Sequence, residues 1–274
     1  MNLAELINEI KQKKTYLCVG LDTEIDKIPN HLRNSENPVL EFNKAIIEAT
    51  KKYCVAYKIN IAFYEQYGST GWDTIKKTLE HIPDNFLKIA DAKRGDIGNT
   101  ARMYARTFFE TYKFDAVTLS PYMGADTIMP FLEYKNKFSI VLALTSNNGS
   151  RDFQMLKIGN EFLYQNVLRK ISILANPENL MFVAGATNAS ELIEIRKIVP
   201  QHFLLVPGIG AQGGDLEAVS DFGLNETCGI LINSSRSIIY ASNNENFADA
   251  AQAEALKLKT QMQNYLAKKY IVND

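Results

Sequence analysis

Short apolar runs recur along this chain too far apart to form hairpins, and a segment of helical periodicity follows each one. They fall at residues 15–22, 54–60, 86–93, 115–120, 138–145, 180–186, 202–207 and 229–233. Continuous rather than alternating apolarity implies burial on both faces, which is how parallel strands covered by helices read. Eight such units select an α/β fold, a closed (β/α)8 TIM barrel, over an open sheet. Helical patterns are expected at 38–52, 63–79, 99–112, 155–174, 190–199 and 215–222, with a short helix after Gly124. An amphipathic segment at 1–14, with Leu3, Leu6, Ile7 and Ile10 in phase, and a helix at 246–270 flank the barrel. Such barrels commonly use about 250 residues as one domain. No Pro/Gly/Ser linker divides the 274 residues, so 1–274 is read as a single domain.

The charge balance limits the partners. Thirty basic residues against thirty-one acidic ones leave a formal net charge of −1, so no overall basic field attracts nucleic acid or an anionic membrane. An anionic ligand must be held locally. The first segment lacks a signal peptide's apolar centre, and no stretch is long and apolar enough to span a bilayer. Cys18, Cys54 and Cys228 are odd in number, widely spaced and set in or beside apolar runs, as expected of buried free thiols in a reducing cytoplasm. His31, His81 and His202 are equally scattered, and no clustered spacing suggests a metal site.

The third run opens into charge: Phe86-Leu-Lys-Ile-Ala-Asp91-Ala-Lys93-Arg-Gly-Asp96-Ile97-Gly-Asn-Thr100. Strand alternation sets Leu87, Ile89, Asp91 and Lys93 on one face, with the small Ala90 and Ala92 on the other. Alone, an Asp-x-Lys at a strand end also suits a structural ion pair. Its neighbours change the reading. Asp22 ends the first run, and Lys58 and Asn60 end the second. In a barrel, these positions converge with Asp91 and Lys93 at the carboxyl ends of three adjacent strands, where active sites of this architecture lie. A lysine between carboxylates stays protonated, and a protonated lysine in a dry pocket is an acid for a nascent carbanion. Asp96 offers a further carboxylate, which turns back to this centre or reaches a second subunit.

A second feature follows the seventh and eighth runs. Pro207-Gly208-Ile-Gly210-Ala-Gln212-Gly-Gly and Asn233-Ser-Ser-Arg236 occupy the loops that often bind phosphate in such barrels, through backbone N–H groups and here one arginine. Gly208-x-Gly210-x-x-Gly213 also fits a dinucleotide fingerprint. It follows the wrong strand and lacks the later acid which that motif requires, so the nucleotide-fold reading is rejected.

Asp22, Lys58, Asp91-x-Lys93-x-x-Asp96-Ile97-x-x-Thr100, Ser146, Pro207-Gly208-x-Gly210-x-Gln212 and Arg236, in this order, span nearly the whole chain. The set resembles the orotidine 5′-phosphate decarboxylases, in particular their longer bacterial branch. The resemblance implies conversion of orotidine 5′-phosphate to uridine 5′-monophosphate (UMP) and carbon dioxide, without metal or organic cofactor. It implies that Lys93 protonates C6 of the pyrimidine, with Asp91 beside the departing carboxylate and Lys58 and Asp96 completing the charged array. It further implies that Asp22 and Asn60 contact the ribose, Ser146 the pyrimidine, and Gln212 and Arg236 the phosphate. Asp96, Ile97 and Thr100 would come from the neighbouring subunit of a homodimer. Two rivals stand beside it: a magnesium-dependent sugar-phosphate decarboxylase or lyase of the same barrel type, and a phosphate-binding barrel without catalysis. The first expects a metal-binding acid on the second strand, where this chain has Lys58-Ile-Asn60.

Overall fold

The structure is a computed structural model, and it describes residues 1–185, 190–208 and 215–272. Eight parallel strands close into a barrel: β1 (Leu17–Gly20), β2 (Ala56–Asn60), β3 (Leu87–Arg94), β4 (Ala116–Leu119), β5 (Phe138–Leu144), β6 (Leu180–Ala184), β7 (Leu204–Pro207) and β8 (Ile230–Ser234). Each strand pairs with its neighbours in chain order, and β8 returns to β1 with Leu17 opposite Ile232. The carboxyl ends of β1, β2 and β3 therefore lie side by side, with Gly20 against Lys58 and Asn60 against Asp91.

Local signals start the helices. Asn2 and Glu5 form a reciprocal capping box ahead of the helix Leu3–Lys13, and Asn37 caps the helix Pro38–Thr50, whose Pro38 sits where no N–H is needed. The helix Phe247–Lys268 closes the shell against Pro38–Thr50. Phe42 stacks on Phe247 at 5.1 Å and on Tyr240 at 6.1 Å. Burying one such ring is worth about 2 to 3 kcal/mol. Among the described residues no helix is long and apolar enough to cross a membrane.

The structure corrects the expected helices in three places. The segment at 63–79 is two helices, Ala62–Glu65 and Ser69–His81, because Gly68 takes φ +59° between them. The segment at 155–174 opens as a small antiparallel hairpin, Lys157–Ile158 with Glu161–Phe162, turning at Gly159 with φ +63°; only Leu163–Ser172 is helical. Apolar residues at helical spacing hid a turn that glycine makes at no steric cost. The helix expected at 99–112 runs over Gly98–Arg106 and widens into a π-turn at Thr107–Thr111.

Candidate active site

The expected charged centre is assembled. Lys58 is 4% exposed, and its Nζ lies 3.4 Å from Asp22 Oδ1 and 3.0 Å from Asp91 Oδ2. Lys93 Nζ lies 2.5 Å from Asp91 Oδ1. The four groups form one chain of alternating sign, Asp22, Lys58, Asp91, Lys93. Burial alone would lower the Lys58 pKa, but the carboxylates on either side outweigh it and hold the ammonium above the ordinary lysine range. Burial would likewise raise Asp91; Lys58 and Lys93 outweigh it and hold that carboxyl well below the usual range. Lys58 and Asp91 are thus both ionised at neutral pH before any ligand arrives.

Strand alternation holds in β3 only as far as Ala90. The ladder pairs Ala90 with Val117 and then Arg94 with Leu119, so residues 91–93 stand opposite Thr118 alone. This bulge puts Lys93 at φ +47°, a left-handed conformation costing a non-glycine residue about 1 to 2 kcal/mol. Its freed backbone groups find new partners. Lys93 N–H donates to Thr118 Oγ1 at 2.9 Å, and the Arg94 guanidinium donates to the Ala92 carbonyl at 2.8 Å. Arg94 also pairs with Glu65 and lies over the rings of Tyr104 and Phe108, which anchors the end of the bulge outside the barrel. Asp22 stands one step past Leu21, beyond the end of β1, rather than within the strand. Its carboxylate still reaches Lys58 because Leu21 N–H is bound to the Lys58 carbonyl at 2.8 Å.

Beside the array lies a cleft of about 320 Å³ lined by Asp22, Lys58, Asn60, Asp91, Pro207, Gly208 and Arg236. Glu24, Phe63, Asn233 and Ser235 also line it. Seven expected site residues, from opposite sides of the barrel mouth, therefore share one space. A larger depression of about 710 Å³ lies at the other end of the barrel, among loops preceding the strands. Arg236 is exposed and makes no ion pair among the described residues, so its guanidinium is available to an anion. Gly208 takes φ +101°. Gly210 and Gln212 lie outside the described residues.

The remaining expected residues stand apart from this cleft. Ser146 is half-buried just after β5. A side chain at Gly185 would come within 2.8 Å of the Ser146 backbone nitrogen, so glycine there lets the end of β6 press against the loop bearing Ser146. Asp96 makes no ion pair among the described residues, and its Oδ1 accepts only the neighbouring Ile97 N–H at 2.8 Å. Ile97 and Thr100 are exposed. Within one subunit, then, Asp96 does not turn back to Lys93.

Sequence reasoning missed two contributors. Thr118 Oγ1 donates to Asp91 Oδ1 at 3.1 Å, and its only signal was a hydroxyl inside an apolar run. The Tyr240 hydroxyl accepts from Glu24 N–H at 2.7 Å and donates to the Asp22 carbonyl at 3.1 Å, tying the loop after β1 to the segment after β8. Nothing local marks Tyr240, since its partners are more than 200 residues away in the chain.

Fold and site together define a (β/α)8 barrel with a lysine–carboxylate centre at the carboxyl end of its strands. Residues 15–251 match the model of the family described as orotidine 5′-phosphate decarboxylase / HUMPS. The chain is 57% identical over 271 residues to an orotidine 5′-phosphate decarboxylase of Phocaeicola vulgatus, covering 97% of this chain and 99% of that one. The solved Leishmania donovani OMP decarboxylase superposes with a TM-score of 0.79 at 35% identity, covering 95% of this chain and all of that one. Leishmania donovani UMP synthase superposes with a TM-score of 0.82 at 37% identity over 94% of this chain, which spans 57% of that longer protein. The chain belongs to the orotidine 5′-phosphate decarboxylase / HUMPS family.

Proposed function

We propose that this chain, read as one barrel domain over 1–274, converts orotidine 5′-phosphate to UMP and carbon dioxide in pyrimidine biosynthesis. The observation that carries the reading is the Asp22–Lys58–Asp91–Lys93 array beside a cleft whose far wall bears Gly208 and Arg236. Loss of carbon dioxide leaves an electron pair on a pyrimidine carbon that has no adjacent electron sink. Cationic charge aimed in advance at that carbon lowers the barrier, and Lys93 is the cation nearest the open end of the array. Its ammonium then gives a proton to C6. Asp91 holds that ammonium and stands beside the departing carboxylate, while Lys58 keeps Asp91 ionised.

Asp22 and Asn60 line the cleft where a ribose would lie, and Ser146 is assigned to the pyrimidine. Pro207, Gly208, Gly210, Gln212 and Arg236 are assigned to the phosphate. Binding energy from that distant anion would orient the ring over Lys93. The scheme calls on no metal or organic cofactor. A magnesium-dependent relative is disfavoured at β2, because a divalent ion there would have to displace the Lys58 ammonium from between two carboxylates. Buried free thiols at Cys18, Cys54 and Cys228 support a reducing cytoplasmic setting.

The functional unit is proposed to be a homodimer with a shared site, in which Asp96, Ile97 and Thr100 of each subunit complete the partner's pocket. Asp96 is turned from its own array, and Ile97 is 56% exposed. The loop after β4, bound to β3 through Ser120 N–H and the Arg94 carbonyl, exposes Tyr122 and Met123 nearby. Exposed apolar side chains grouped in this way suit a protein partner better than water.

The test is release of carbon dioxide from orotidine 5′-phosphate with EDTA present. Unchanged turnover is expected. Activity that disappears with the chelator and returns with magnesium would favour the metal-dependent rival.

A further inference from the structure

We propose that Thr118 is a positioning residue for decarboxylation, holding the Lys93 main chain and the Asp91 carboxylate in register through one hydroxyl. The inference rests on the reading of Lys93 as proton donor. Thr118 is the single residue of β4 set against the three-residue bulge of β3. Its hydrogen bonds can run in only one direction. The Lys93 amide can only donate, so the hydroxyl oxygen accepts from it at 2.9 Å. The ionised Asp91 carboxylate can only accept, so the hydroxyl proton is committed to Oδ1 at 3.1 Å. That same oxygen accepts from Lys93 Nζ at 2.5 Å.

A ring is thereby closed: Lys93 backbone nitrogen, Thr118 hydroxyl, Asp91 Oδ1, Lys93 ammonium. It fixes both ends of the lysine against one carboxylate oxygen. Lys93 adopts φ +47°, a conformation that persists only where the surroundings over-determine it, and this hydroxyl supplies the amide partner that the interrupted ladder cannot. Thr118 is 1% exposed, so a valine there, which fills the same volume, leaves water no room to replace the hydroxyl. A β-branched side chain in a strand also has restricted χ1 freedom, which keeps the hydroxyl on target.

The experiment measures turnover of orotidine 5′-phosphate and binding of UMP by the 274-residue chain carrying Thr118→Val, Thr118→Ala or Thr118→Ser. Valine keeps the shape and removes the hydroxyl; alanine removes the same hydroxyl without bulk and is read identically if the valine variant does not fold. Loss of a buried hydrogen bond to a charged group predicts a fall in kcat of about 10- to 100-fold in the hydroxyl-free variants. UMP affinity and KM should stay near wild type, because Thr118 is not among the residues lining the cleft. Serine should restore most of the rate. Unchanged kcat in the hydroxyl-free variants overturns the inference. So does a loss of UMP binding parallel to the loss of kcat that serine fails to repair, since that would indicate general damage to the barrel. If the wild-type chain releases no carbon dioxide, the decarboxylase reading itself fails and this inference falls with it.

Discussion

The two sides of the barrel mouth are prepared to different degrees. On the β1–β3 side each charged group is already paired: Asp22 with Lys58, Lys58 with Asp91, Asp91 with Lys93. On the β7–β8 side Arg236 is exposed and without an ion pair among the described residues. Under the proposed function, the difference follows from what each side would do. Groups that stabilise charge at the reacting carbon work best when they need no reorganisation during the reaction, so their mutual ion pairs are formed before substrate arrives. A group that grips a remote phosphate has to exchange water for the ligand, so it can stay solvated until binding. The Asp96 and Ile97 edge resembles the second side: Asp96 makes no ion pair among the described residues, and Ile97 is exposed.

The sharpest break of this contrast is Lys93→Ala. Removal of both proton donor and cation is expected to lower kcat by about 10⁴-fold while UMP binding persists; comparable damage to both would place Lys93 in binding rather than chemistry. On the solvated side, Arg236→Ala should raise KM strongly through loss of a charge-assisted contact with phosphate, at a cost of about 2 to 5 kcal/mol in kcat/KM if ligand binding desolvates the pair. Wild-type kinetics in that variant would mean the phosphate binds elsewhere.

Stability separates the sides as well. Asp91→Asn leaves Lys58 and Lys93 short of a counter-ion and should destabilise the fold by about 3 kcal/mol at neutral pH, read by chemical denaturation. The Asp91 carboxyl is held below its ordinary value in the fold. Its contribution is therefore present above about pH 4 and fades as pH falls through the folded value. The gap between wild type and Asp91→Asn should narrow on acidification, whereas a gap independent of pH would deny that the array is ionised in the native state. The smallest effect tests the third region. Mixing inactive Lys93→Ala with inactive Asp96→Ala should return up to about one quarter of wild-type activity, because a random isologous heterodimer regains one intact site of two. No recovery, once mass measurement has established heterodimers, would assign Asp96 to its own subunit.

Much of this was legible in the chain. Eight apolar runs, each followed by a helical pattern, require a covered parallel sheet, and the polar residues ending the first three then have one place to meet. Asp22, Lys58, Asn60, Asp91 and Lys93 were found in this way because strand order and register follow directly from chain order in such a barrel. Arg236 was found for the same reason, one strand after the glycine loop. The turn at Gly159 was not legible, because apolar spacing over a few residues fits a helix and a hairpin equally well.

The sequence by itself determined the barrel, the identity of its charged residues and the side of the barrel on which they lie, since all three follow from periodicity and chain order. Only the tertiary structure decided how those charges are held. The bulge that turns Lys93 to φ +47° exists because β4 offers one residue opposite three of β3. The hydroxyl that satisfies it comes from Thr118, a residue that local pattern could not distinguish from its apolar neighbours. Strand register and hydrogen-bond direction between distant segments arise when the barrel closes, and no stretch of sequence read alone contains them.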